Sequence, residues 1–200
     1  MTWIQTFTGK AFDLDAPTPD QIDIRDIVWG LANQTRYCGQ ARFPYTIAQH
    51  SWHVMRLVAE TNPELALAAA LHDSAEAYTG DWTHPLKDLF RKHAPWALTL
   101  ERNIERAIGD KFGLPLHTKN PIIKRADNVA LVTERIWLRG PSERAWNADW
   151  LVEQPERTWN TPPAHPVQPG IPAAAVLSAE LVQYFPQLEH GWWTEFGANP

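Results

Sequence analysis

Seven consecutive apolar residues, Leu65-Ala66-Leu67-Ala68-Ala69-Ala70-Leu71, lead straight into His72 and Asp73. The run reads as the inward face of a buried helix. An imidazole and a carboxylate at the end of such a run are costly to leave there unless something satisfies them. A divalent ion does so, because neutral imidazole and carboxylate are both ordinary ligands for zinc, manganese or iron.

The rest of the chain supplies helices to surround that run. Residues 3 to 14 place Ile4, Phe7, Phe12 and Leu14 on either side of a Thr8-Gly9 break, which predicts a short hairpin or two extended arms. Asp20 is positioned to cap a helix through Ile24, Ile27, Val28 and Leu31. The stretch 35–44 reads as a loop, and Thr46 caps a helix through Ile47, Val54, Leu57 and Val58. Pro63 opens the helix that carries His72, with Gly80 closing it, and Pro95 opens the next. Asn120-Pro121 starts a helix that Gly140 stops. Residues 154–172 carry six prolines and read as an arm without a core pattern. A last helix around Ala174 to Phe185 precedes an aromatic tail with Trp192, Trp193 and Phe196. The expected fold is all-α, a helical bundle with a short N-terminal hairpin or extended arm, forming one domain over 1–200. Its core lies at about 20–140, and 141–200 is a Pro-rich C-terminal extension.

Within that frame four side chains point to one chemistry. On a continuous helix Glu76 shares a face with His72 and Asp73. His50 falls inside the helix capped by Thr46, and Asp127 inside the Pro121 helix between apolar neighbours. Packed helices bring such side chains to a common point. His50, His72, Asp73 and Asp127 then offer two nitrogens and two carboxylates, an incomplete shell that suits a hydrolytic ion better than a closed structural zinc. His53 and His84 read as packing or loop residues. Lys124 and Arg125 are alternative partners for Asp127.

Composition narrows the substrate. A net charge of −5 argues against a partner that is a nucleic-acid polymer, yet leaves room for a small phosphorylated molecule held by an ion and local cations. Cys38 is the single cysteine, which excludes an intrachain disulfide and fits a reducing compartment. The N-terminus lacks a basic and apolar leader pattern, and no uncharged apolar run reaches the ~18 residues of a membrane span. A cytoplasmic protein that does not engage a membrane is expected.

The ordered set His50, His72-Asp73 and Asp127, with Ala48-Gln49-His50-Ser51 and His72-Asp73-Ser74-Ala75-Glu76-Ala77-Tyr78-Thr79-Gly80-Asp81, resembles the signature of HD-domain metal-dependent phosphohydrolases. It is similar to their bacterial and phage branch of 5′-deoxynucleotidases and deoxynucleoside triphosphate triphosphohydrolases. The resemblance runs to about residue 140. It implies an HD-domain bundle and one divalent ion (Co, Mn, Zn, Fe or Mg) on His50, His72, Asp73 and Asp127. It implies Glu76 as the water-activating carboxylate and Asp81 as a second acid near the phosphate. Arg36 matches a phosphate-contacting arginine, and Lys87 is a further phosphate contact. Tyr37 stands where the family often has a tryptophan against sugar or base.

The resulting expectation is hydrolysis of the phosphate of a small (deoxy)nucleotide, foremost a deoxynucleoside 5′-monophosphate. A deoxynucleoside triphosphate triphosphohydrolase and a non-catalytic nucleotide-binding module are the alternatives. The resemblance also implies a homo-oligomer, for which the aromatic tail is a candidate interface.

Overall fold

The computed structural model describes residues 1–144 and 169–198. The chain is mostly helical, with one antiparallel hairpin of β1 (Trp3–Gln5) and β2 (Ala11–Asp13), in which Ile4 faces Phe12. The Thr8 amide and hydroxyl both donate to the buried Asp26 carboxylate, at 2.7 and 2.9 Å, pinning the hairpin turn onto the first helix. Phe12 stacks on Tyr78 at 3.8 Å between ring centroids, so the hairpin also covers the helices beyond.

The helices follow as α1 (Ile24–Asn33), α2 (Ile47–Ala59), α3 (Ala66–Ala70), α4 (Glu76–Thr79), α5 (His84–His93), α6 (Pro95–Phe112), α7 (Pro121–Leu138) and α8 (Ile171–Leu181). At the centre lies α2, packed against α1, α3, α7 and α8. Its first nine residues, Ile47 to Met55, carry no Lys, Arg, Asp or Glu and are all buried. Its start is fixed by Thr46 and Gln49, which bond reciprocally across the first turn. Asn120 caps α7 in the expected way, accepting from the Ile122 and Ile123 amides. Gly30 stands in mid-helix because α1 approaches α4 closely: a Cβ there would lie 2.8 Å from the Ala77 carbonyl oxygen.

Several elements differ from the sequence expectation. The cap of α1 is Asp23, whose carboxylate accepts from the Arg25 amide, while Asp20 sits in a 3₁₀ turn over Pro19–Gln21. Residues 84–93, between the Gly80 stop and Pro95, form α5 with Pro85 in its first turn, where a missing amide proton does no harm.

The helix expected from Pro63 to Gly80 is broken. A 3₁₀ turn at Pro63–Leu65 leads into α3, turns occupy 71–75, and α4 follows before Gly80 stops it at φ +85°. A continued α-helix would give the Ala69 carbonyl to the Asp73 amide. Here His72 Nδ1 takes it at 2.8 Å, and three-residue turns bridge Ser74 to Leu71 and Glu76 to Asp73.

The C-terminal segment belongs to the same core. Leu177, Leu181, Leu188, Trp192 and Trp193 are buried within it, extending it beyond 20–140. Trp192 Nε1 donates to Ser178 Oγ at 3.0 Å, and its ring meets Phe7 and Trp29 edge-on. Burial inside the chain removes Trp192 and Trp193 as interface residues. The helix preceding them spans Ile171–Leu181 rather than 174–185. Of the expected Pro-rich arm, residues 154–168 lie outside the described residues. No helix among the described residues is long and apolar enough to cross a membrane.

If the aromatic tail closes the core, Trp192→Ala opens a cavity under α1 and α8. Urea denaturation is expected to show a loss of about 3–5 kcal/mol. A loss below about 1 kcal/mol would place the tail outside the cooperative unit.

Candidate metal centre

Four electron-pair acceptors converge between α2, the α3–α4 turn and α7. His50 Nε2 lies 3.3 Å from His72 Nε2, 3.3 Å from Asp127 Oδ1 and 3.5 Å from Asp73 Oδ2, which is itself 3.2 Å from His72 Nε2. One ligand atom each from His50, His72 and Asp127 lies within 4.8 Å of the others, so this group can hold a metal ion. Ligands about 2.1 Å from one ion are separated by about 3.0 Å at right angles and about 3.4 Å in a tetrahedron. The measured spacings fall on that scale.

The tautomers make the case chemically. His72 spends Nδ1–H on the Ala69 carbonyl, and His50 donates Nδ1–H to Glu134 Oε1 at 2.6 Å. Both Nε2 atoms therefore present lone pairs to each other and to two carboxylate oxygens, an arrangement that only a cation or added protons can satisfy. Without an ion, a proton takes that place. Burial and Arg36 oppose a charge on His50, but Glu134 and Asp127 outweigh them and raise it to about 9. Burial resists ionisation of Asp73 and Asp127 too, yet the neighbouring histidines hold both below the usual carboxylate range.

Glu134 is absent from the sequence reading. Fully buried, it lies two turns after Asp127 on the same face of α7. Besides His50 it accepts from Arg36 Nε at 3.1 Å and from the Tyr37 hydroxyl. Burial works against its charge, but Arg36 and His50 prevail and lower it to about 2. A glutamate in the apolar stripe of Ile123, Ala126, Ala130 and Leu138 was the available signal.

A cavity of about 740 Å³ opens beside the ligands, within the usual range for small-molecule sites. Arg36, Tyr37, Asp73, Glu76, Asp81, Lys87 and Asp127 all line it. Arg36 also reaches Asp73 Oδ2, at 3.5 Å. Tyr37 adopts a left-handed backbone at φ 60°, as does Cys38 at φ 52°. That conformation is costly for non-glycine residues, by about 1–2 kcal/mol each. It is held by the Tyr37 amide, which donates to Asp81 Oδ2 at 2.7 Å, and by the hydroxyl bond to Glu134.

Glu76 is buried, with Oε2 making no hydrogen bond and Oε1 3.7 Å from Lys87 Nζ. Burial, reinforced by Asp73, pushes its carboxyl well above the ordinary value. Lys87 is not an open cation, since Glu101 Oε1 holds it at 2.7 Å. Asp127 meets both expectations for it, facing His50 with Oδ1 while Oδ2 accepts from Lys124 at 2.7 Å. His53 is buried outside the ligand group, and His84 starts α5 on the cavity rim, 3.3 Å from Asp88.

An ion held here would compete with a proton for His50, and the protonated form does not bind metal. Below about pH 9 each unit of acidification is therefore expected to weaken divalent-ion affinity by up to about tenfold. Calorimetric titration with Mn²⁺ or Zn²⁺ between about pH 6 and 8 checks this. A pH-independent affinity would remove His50 from the ligand set.

No model of a known protein family matches the chain. Over 135 residues it is 38% identical to the uncharacterized protein YfdR of Escherichia coli (strain K12), covering 68% of this chain and 71% of that one. Over 163 residues it is 36% identical to the uncharacterized protein RCAP_rcc00048 of Rhodobacter capsulatus, covering 77% and 81%. With two histidines and an aspartate grouped beside a cavity, the chain belongs to the family that contains these two proteins.

Proposed function

We propose that this protein is a divalent-metal-dependent phosphohydrolase of the HD-domain type that removes the phosphate of a deoxynucleoside 5′-monophosphate. The observation that carries the reading is the convergence of His50, His72, Asp73 and Asp127 on one point with acceptors alone, at the wall of a nucleotide-sized cavity. A divalent ion bound there would act as a Lewis acid toward phosphate and bring the pKa of water down to about 7.

The remaining work falls to the chain's own groups. Glu76, buried with one bare oxygen and a raised pKa, is suited to hold the attacking water and accept its proton. Lys87, fixed by Glu101, works against that rise and favours the carboxylate form of Glu76, the form that accepts a proton. Arg36 is anchored on Glu134 through Nε, and its Nη1 faces the Asp73 side of the cavity, where it neutralises phosphate charge. Asp81 fixes the Tyr37 wall through the backbone amide.

Charge favours the monophosphate. Four cations, Arg36, Lys87, Lys124 and Arg139, line the cavity against five carboxylates, Asp73, Glu76, Asp81, Asp88 and Asp127. One divalent ion leaves a small positive excess, matched to a dianion rather than to a triphosphate. Lys124 and Arg139 are the residues a triphosphate would use, and they sustain triphosphohydrolysis as the second reading. A pure binding module has no use for a buried proton acceptor at Glu76.

Ion-loaded protein is expected to release inorganic phosphate from a deoxynucleotide panel, read by chromatography. Tripolyphosphate from a triphosphate would select the second reading, and no turnover with any metal would reject both. Asp73→Ala should reduce turnover by about 10²–10³-fold or more. Glu76→Gln should lower kcat by about 10²–10⁴-fold while ion affinity, measured separately, stays near wild type.

A further inference from the structure

Glu134 does not itself line the cavity, yet it bonds the three groups on which the site is built. Its Oε1 accepts from His50 Nδ1 at 2.6 Å, and its Oε2 accepts from Arg36 Nε at 3.1 Å and from the Tyr37 hydroxyl. Those partners come from α2 and from the strained turn at 36–38, and Glu134 itself from α7. We infer that Glu134 is the positioning residue that makes His50 a metal ligand and Arg36–Tyr37 a substrate wall at once.

The argument is one of acceptors. A carboxylate offers two oxygens, and here they serve three donors arriving from two directions. Accepting from Nδ1–H leaves His50 with its lone pair on Nε2, the atom turned toward His72, Asp73 and Asp127. Accepting from Nε–H fixes the plane of Arg36, so that Nη1 is the edge directed at Asp73. Accepting from the hydroxyl clamps a tyrosine whose backbone, at φ 60°, does not hold itself. Glutamine has the same shape with one acceptor and an amide that repels N–H donors, so it satisfies only one side of the hub. Aspartate keeps the charge but falls one methylene short of reaching both.

Three measurements on full-length protein test this. In the wild type, ¹⁵N NMR of the ion-loaded protein should show His50 protonated at Nδ1; ligation through Nδ1 would overturn the inference. Calorimetric titration with Mn²⁺ or Zn²⁺ should show Glu134→Gln binding about 10–100-fold more weakly than wild type, with Glu134→Asp between the two. Thermal melts identify which variants are folded, and Glu134→Asp, which retains the charge beside Arg36, carries the comparison irrespective of how glutamine is tolerated. Folded variants that bind the ion within about twofold of wild type would reduce Glu134 to a structural role. At saturating ion, KM for the nucleotide should rise more than kcat falls. This kinetic arm alone rests on the proposed hydrolase reading, so an inert enzyme with the ion-affinity loss intact would reject that reading and keep this one.

Discussion

Electron pairs pointed at each other inside a protein are mutually repulsive, and the core of this molecule tolerates them only by enforcing them. His50, His72, Asp73 and Asp127 arrive from three separate stretches of chain, and with both Nδ1–H groups committed elsewhere none of the facing atoms donates unless a proton is added. Each is prevented from turning away. His72 is tied to the Ala69 carbonyl and His50 to Glu134, while Asp127 is braced by Lys124. The repulsion is the counterpart of affinity for a cation: a cluster that is uncomfortable when empty gains most from being filled.

That constraint explains features of the fold that propensity alone does not. The break after α3 sacrifices regular helical bonding exactly where His72 needs a carbonyl for its ring, so a local rule of helix continuity gives way to the orientation of a ligand. Tyr37 and Cys38 occupy a left-handed backbone that bulky residues avoid, in the turn that faces the same cavity. Departures from local preference are thus concentrated around the ligands, while the helices that carry His50 and Asp127 are conventionally capped and packed.

The same contrast governs what could be read in the residues. Caps and apolar periodicity are local, so α2 with Thr46 and Gln49, and α7 with Asn120 and Pro121, were legible, as were the hairpin and the convergence of His50 with His72 and Asp127. The turn at 71–75 was not, because it depends on a side chain capturing a carbonyl, which no periodicity encodes. Asp23 displaced Asp20 as a cap since both precede the same apolar stripe and only spacing separates them. Glu134 escaped notice because a charge in a buried stripe has meaning only once its donors, nearly 100 residues away in sequence, are known to meet it. The burial of Trp192 and Trp193 is a long-range outcome of the same kind.

The interlock between the hairpin and the aromatic tail bears on how the molecule is made. Phe7 lies against Trp29, Trp192 and Phe196, so segments translated first are sealed by segments translated last. During synthesis α1 and α2 emerge with the face that α8 will cover still bare, and the ligand-bearing helices acquire their final packing only once residue 196 has left the ribosome. A chain interrupted even shortly before that point leaves that face uncovered and is a target for chaperones and proteases rather than a slightly weakened protein.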